Sequence, residues 1–144
     1  MAVRFGMMLL VVCASVSLRA EHPQATIANS QVTARLYLPQ PDSGYYRGTR
    51  FDWSGVIYSL QCDGHEYFGE WQKSEDPYLH DRITGPVESY SVGPQQRSGE
   101  TFLRIGVGVC DKAESTAKHP FRVVDHGQWK VKKGGNWIEM QHVV

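Results

Sequence analysis

A chain of 144 residues, with fifteen Lys and Arg against fifteen Asp and Glu, has the length of one domain and no excess charge. The balance excludes the basic footprint that binding to duplex nucleic acid requires. Sixteen aromatic residues with 21% charged residues likewise exclude a disordered tail.

Residues 1–20, MAVRFGMMLLVVCASVSLRA, place Arg4 before an apolar stretch through Val12 and then small residues, the pattern of a secretory signal peptide. The apolar run is shorter than the roughly 20 residues that span a bilayer, so export to the periplasm or the medium is expected, with no stable membrane span. Cleavage after Ala14, Ser17 or Ala20 remains open. Cys13 follows a poor lipidation motif, because Val12 stands where a small residue is expected. Removing 1–20 leaves thirteen basic residues against fifteen acidic ones and two cysteines, Cys62 and Cys110. These two can pair in an oxidising compartment or stay as buried thiols, since both sit at the ends of expected strands.

The mature part, 21–144, shows no sustained helical period, and strand signals recur. Val32, Ala34, Leu36 and Leu38 alternate with Thr33, Arg35 and Tyr37 until Pro39 and Pro41 stop the run. Val56–Cys62 and His65–Trp71 flank Asp63-Gly64, the pair that supplies the positive φ angles of a type I′ hairpin turn. Residues 73–100, rich in Gly, Pro, Ser and Asp, read as a long excursion over the domain. Strand character returns at Thr101–Cys110 and at Phe121–Val124. A last hairpin is expected from Gln128–Lys132 through Gly134-Gly135 to Trp137–Val144. The expected class is an all-β sandwich. Its last strand would carry Ile138, Met140 and Val144 on an apolar face, so self-association through an exposed sheet edge is one expectation.

Eight of the sixteen aromatics lie between Tyr45 and Trp71, among Arg47, Arg50, Asp52, His65, Glu66 and Glu70. Aromatic rings cover the apolar C–H face of a pyranose while charged groups bond its hydroxyls, so this mixture suits a carbohydrate ligand. Rings alternating along strands are also ordinary packing. The run Gly44–Trp53 has no alternation, and there a binding role gains ground. A second cluster, His80 to Glu88, sets His80 beside Asp81 with Glu88 beyond a Gly-Pro turn. It can present an acid and a base to one pocket, or merely cap its own turn. The candidate substrate-binding residues are Arg47, Arg50, Asp52, Trp53, His65, His80 and Glu88. The histidines at 65, 80, 119, 126 and 142 have no recurring ligand spacing, so no metal site is expected.

The runs Leu36–Pro39, Gly44–Gly55, Gly64–Gly69, Ile83–Glu88 and Arg104–Gly108 resemble a group of uncharacterised bacterial exported proteins with a galactose-mutarotase-like, or aldose epimerase-like, domain. The resemblance runs from about residue 31 to the end of the chain. It implies the N-terminal part of a β-supersandwich whose later half continues beyond this sequence, and a cofactor-free 1-epimerisation of a sugar. In aldose epimerases the Glu base and one His come from that later half. The resemblance therefore carries no catalytic residue onto this chain, and it implies only pocket lining for Arg47, Arg50, His65, His80 and Glu88. A noncatalytic sugar-binding module and an inactive fragment are the other expectations.

Overall fold

In the computed structural model, residues 22–69, 72, 74–89, 99–112 and 121–144 are described. The expected signal segment 1–20 and the hairpin residues Glu70 and Trp71 lie outside them. Among the described residues the regular structure is β, interrupted by short 3-10 turns at Trp53–Gly55 and His80–Arg82.

The first sheet is an antiparallel meander of β1 (Gln24–Ala28), β2 (Val32–Tyr37), β3 (Ile57–Cys62) and β4 (His65–Glu66). Asn29 closes the β1–β2 turn by accepting from the amides of Gln31 and Val32. Along β2 Ala34 and Leu36 are buried and Arg35 is exposed, as the alternation expects, but Tyr37, expected on the opposite face, also packs against the core. The β3–β4 turn uses φ +49° at Asp63 and +79° at Gly64, as the Asp-Gly pair requires.

The expected strand His65–Trp71 ends early. Glu66 folds its carboxylate back along β3, where it accepts from the Leu60 amide at 2.8 Å, the Ser59 hydroxyl at 2.9 Å and the Gln61 side-chain amide at 3.0 Å. Pairing of β4 stops after Gln61↔Glu66. By Gly69 the chain has turned away, and its carbonyl accepts from the Thr84 hydroxyl. Burial alone would raise the Glu66 carboxyl. Bonds from Ser59, Gln61 and the Leu60 and Phe68 amides outweigh it and hold the group below the usual carboxylate value.

The second sheet joins β5 (Thr101–Arg104), β6 (Gly108–Lys112) and β7 (Phe121–Asp125), all antiparallel. The expected single strand Thr101–Cys110 is thus a hairpin, broken where Gly106 takes φ +72° and the Val107 amide donates to the Arg104 carbonyl at 3.0 Å. Gly106 does a second task. Its carbonyl accepts from the Trp53 amide at 3.0 Å, and a Cβ there would lie 2.0 Å from the Asp52 carboxyl carbon.

A separate two-stranded ribbon, β8 (Gln128–Lys133) and β9 (Ile138–Val143), ends the chain. Its tip is tied to the first sheet, because the Gly135 carbonyl accepts from the Ala28 amide at 2.8 Å. Ile138 and Met140 on β9 are half-buried, while Val131, Trp137, Val143 and Val144 face solvent.

The core lies between the sheets and is filled mainly from the connection between β2 and β3. Tyr45, Tyr46, Trp53 and Val56 from that connection cluster with Val107 from the β5–β6 turn and Cys110 from β6. Tyr37, Phe102, Phe121, Val123 and Trp129 pack around them. Stacked rings continue the core onto the first sheet: Tyr45 lies 4.1 Å from Tyr37, which lies 4.4 Å from Tyr58. The buried Arg82 guanidinium covers the other face of Tyr45 at 3.9 Å. Cys62 and Cys110 form no disulfide. Cys62 ends β3 in one sheet, whereas Cys110 is sealed in the core from the other, and both are free thiols. Burial pushes the Cys110 thiol up to about 11, against a lowering pull from Arg104 and with a further push from Asp111.

Candidate functional site

Three segments of the chain meet at a cleft of about 360 Å³. The β2–β3 connection contributes Pro41, Arg47, Gly48 and Thr49, the excursion contributes Tyr78, and the β7 edge contributes Phe121, Arg122, Val123 and His126. The volume falls within the roughly 300–1,000 Å³ of small-molecule sites.

Backbone bonds hold the walls together. The Arg47 amide donates to the Pro77 carbonyl at 2.9 Å, which draws Tyr78 to the rim. Arg47 then reaches across, its Nη1 donating to the Asp42 carbonyl at 3.0 Å and the Pro41 carbonyl at 3.4 Å, with its guanidinium 5.3 Å from the Tyr78 ring. Its Nε is buried and has no hydrogen-bond partner among the described residues. Arg122 is bonded across the β6–β7 register to Asp111, so a carboxylate already balances its charge. That bond, with the attraction of the same carboxylate, raises the Arg122 guanidinium above its ordinary value.

The His126 ring lies 5.5 Å from Trp53, and its Nδ1 is buried without a partner among the described residues. The His126 carbonyl accepts from His142 Nε2 at 2.8 Å. The His142 ring is stacked on Trp129 at 4.2 Å, so β8 and β9 brace this corner of the cleft.

Of the candidate binding residues only Arg47 lines this cleft. Trp53 is 1% exposed with its Nε1 donating to the Gly48 carbonyl at 2.7 Å, so it supports the wall from behind and is not open to a ligand. Asp52 is committed to capping, accepting at Oδ1 from the Ser54 amide at 2.8 Å and hydroxyl at 2.7 Å. The unpatterned run Gly44–Trp53, read as favouring function, instead supplies most of the core because its rings find polar partners locally.

Arg50 and His80 do come together, but beside the cleft. The Arg50 guanidinium lies 5.0 Å over the Phe51 ring, and the His80 ring meets the same ring edge-on at 6.2 Å. His80 Nδ1 is bonded to the Tyr46 hydroxyl at 2.7 Å. Burial pushes that phenol up to about 12, although the Arg50 and Phe51 amides and the Arg104 and Arg50 charges pull the other way. The buried Arg104 fixes the loop by donating from Nη2 to the Arg50 carbonyl at 3.0 Å. Glu88 touches the site through its backbone, its carbonyl accepting from the Asp52 amide at 2.9 Å, with its side chain exposed. His65 stands apart at the β3–β4 hairpin, exposed and edge-on to Tyr67 at 4.6 Å.

Sequence reading missed Thr49, Tyr78, Phe121, Arg122 and His126. Phe121 and Arg122 belong to an ordinary strand pattern, and only the register that sets Asp111 opposite Arg122 reveals which arginine is already paired. Among the described residues no group of three or more His, Cys, Asp or Glu side chains is placed to hold a metal, and no helix is long and apolar enough to cross a membrane. Comparison with known proteins finds no family model, no curated protein and no solved structure that matches the chain.

Proposed function

We propose that this all-β chain is a carbohydrate-binding domain that holds a sugar ring in the Arg47–His126 cleft. The observation that carries the reading is the composition of that cleft: the Tyr78 and Phe121 rings stand among Arg47, Thr49 and His126 in a space of about 360 Å³. Aromatic faces suit the C–H side of a pyranose, and fixed donors suit its hydroxyls. The resemblance of the Gly44–Gly55 and Ile83–Glu88 runs to galactose-mutarotase-like proteins supports the same ligand class. With the signal pattern of residues 1–20, it supports export as the setting.

Binding is favoured over turnover. A 1-epimerisation needs an acid and a base on either side of the anomeric centre. Among the described lining residues only the His126 imidazole is of a type that can both take and give a proton in such a step, and no carboxylate lines the cleft beside it. An epimerase would draw its second group from elsewhere, as the later half of an aldose epimerase supplies it.

Calorimetric titration with a panel of neutral and acidic monosaccharides tests the reading, alongside polarimetric mutarotation. Saturable binding that is lost on Tyr78→Ala, with unaccelerated mutarotation, is expected. Absence of binding by every sugar refutes it, and accelerated mutarotation replaces the binding module with an enzyme.

A further inference from the structure

The polar half of the cleft is electrostatically lopsided. Arg47 and Arg122 both line it, but the Asp111 carboxylate balances Arg122. Among the described residues Arg47 has only carbonyl partners, Pro41 and Asp42 through Nη1, and no carboxylate pairs with it. Its Nε is sealed from the cleft, and its Nη2 makes no hydrogen bond to a described residue. The charge left over is therefore a single positive one, carried on a guanidinium whose position two backbone carbonyls and the Tyr78 ring already fix.

An arginine fixed by part of its fork leaves the remainder for a planar acceptor. A carboxylate matches both the charge and the plane. Lysine in this place would present only a point charge, and a neutral hydroxyl would leave the charge unbalanced. The His126 ring lines the same cleft and adds no negative charge.

We infer that the sugar held here is an acidic one, a hexuronic acid unit whose carboxylate is received by Arg47 while its ring lies against Tyr78 and Phe121. This rests on the sugar-binding reading and deepens it. One unbalanced positive charge fits a singly charged carboxylate better than a doubly charged phosphate.

The test is isothermal titration of the protein at neutral pH with galacturonate, glucuronate, galactose and galactose 6-phosphate, repeated on Arg47→Gln and Arg35→Gln. At least one uronate is expected to bind about tenfold or more tighter than galactose, which is a 1.4 kcal/mol preference. Arg47→Gln should remove that preference and Arg35→Gln, at an exposed β2 position outside the cleft, should keep it, with circular dichroism melts showing both variants folded. If Arg47→Gln does not fold, Arg47→Lys serves instead and should lower the preference without abolishing it. Galactose bound as tightly as the uronates overturns the acidic-sugar inference and leaves sugar binding standing. Tighter binding of the 6-phosphate overturns the carboxylate assignment. A preference kept in Arg47→Gln overturns the role of Arg47, and no binding of any sugar overturns the underlying reading as well.

Discussion

Gly106→Ala offers a quantitative test of how the β2–β3 connection is locked to the second sheet. At φ +72° an alanine costs about 1–2 kcal/mol, because its Cβ crowds the neighbouring carbonyl in the left-handed region. The same Cβ would lie 2.0 Å from Asp52 Cγ and 2.1 Å from Oδ1, so the carboxylate must swing away. Asp52 then loses its bonds from the Ser54 amide and hydroxyl, a capping contribution of about 1 kcal/mol. The single substitution is thus expected to cost about 2–3 kcal/mol, a fall in melting temperature of about 5–10 °C for a domain of this size. The two terms separate in a double-mutant cycle measured by urea denaturation. Asp52→Ala alone should cost about 1 kcal/mol, since it removes only the cap. On the Gly106→Ala background it should cost nearly nothing, because the cap is already broken and the three nearest obstructing atoms are gone. Additive costs would show that Asp52 keeps its cap in Gly106→Ala, and a neutral Gly106→Ala would show that the close approach at this turn carries no energy.

Acid should weaken the β3–β4 hairpin. Because the folded Glu66 carboxyl lies below its ordinary 4.5, its contribution is present above that value and is lost as pH falls through the lowered folded value. Denaturation midpoints measured down to about pH 3 should therefore fall more steeply for the native chain than for Glu66→Gln, and parallel curves would remove Glu66 from the account. In a Cys13→Ser chain at pH 8, a thiol reagent should modify the partly exposed Cys62 quickly and Cys110 only on unfolding, because Cys110 is buried and its thiol is pushed up to about 11; equal rates would contradict the core placement of β6. Trp53→Ala should cost about 3–5 kcal/mol, as the loss of a large core side chain does, whereas Arg50→Ala should leave the urea midpoint almost unchanged, its guanidinium being exposed over Phe51.

The strand pattern was legible where side chains alternate against one buried face. Val32–Tyr37, Ile57–Cys62 and the closing ribbon match their expected spans to within a residue or two at each end. The misses have local causes. β1 is only Gln24–Ala28, with a single fully buried side chain, and offers too short a period to read. Thr101–Cys110 satisfies a strand pattern, but Gly106 and Gly108 both take positive φ and turn it into two strands. The His65–Trp71 strand failed at a side chain, since Glu66 uses its carboxylate on the β3 backbone and β4 ends there. No propensity encodes that competition between a carboxylate and a neighbouring strand.

The site was hidden for a related reason. Aromatic density marked a segment whose rings close the core, because rings with polar tips are indistinguishable in sequence whether they wait for a ligand or pack inward. What separates them is the fate of each polar atom. The Tyr45 hydroxyl donates to the Arg82 carbonyl, the Tyr46 hydroxyl meets His80, and the Trp53 indole donates to the Gly48 carbonyl, so all three rings are spent inward. Their burial fixes the backbone between them, and Arg47, Gly48 and Thr49 are consequently presented to the cleft from a support that core packing makes rigid. Binding residues in such a segment follow from which neighbours are buried. The functional reading of Arg47 therefore depends on the structural reading of Tyr46 and Trp53, and a variant that loosens either should weaken a ligand held by Arg47 even when it leaves the guanidinium in place.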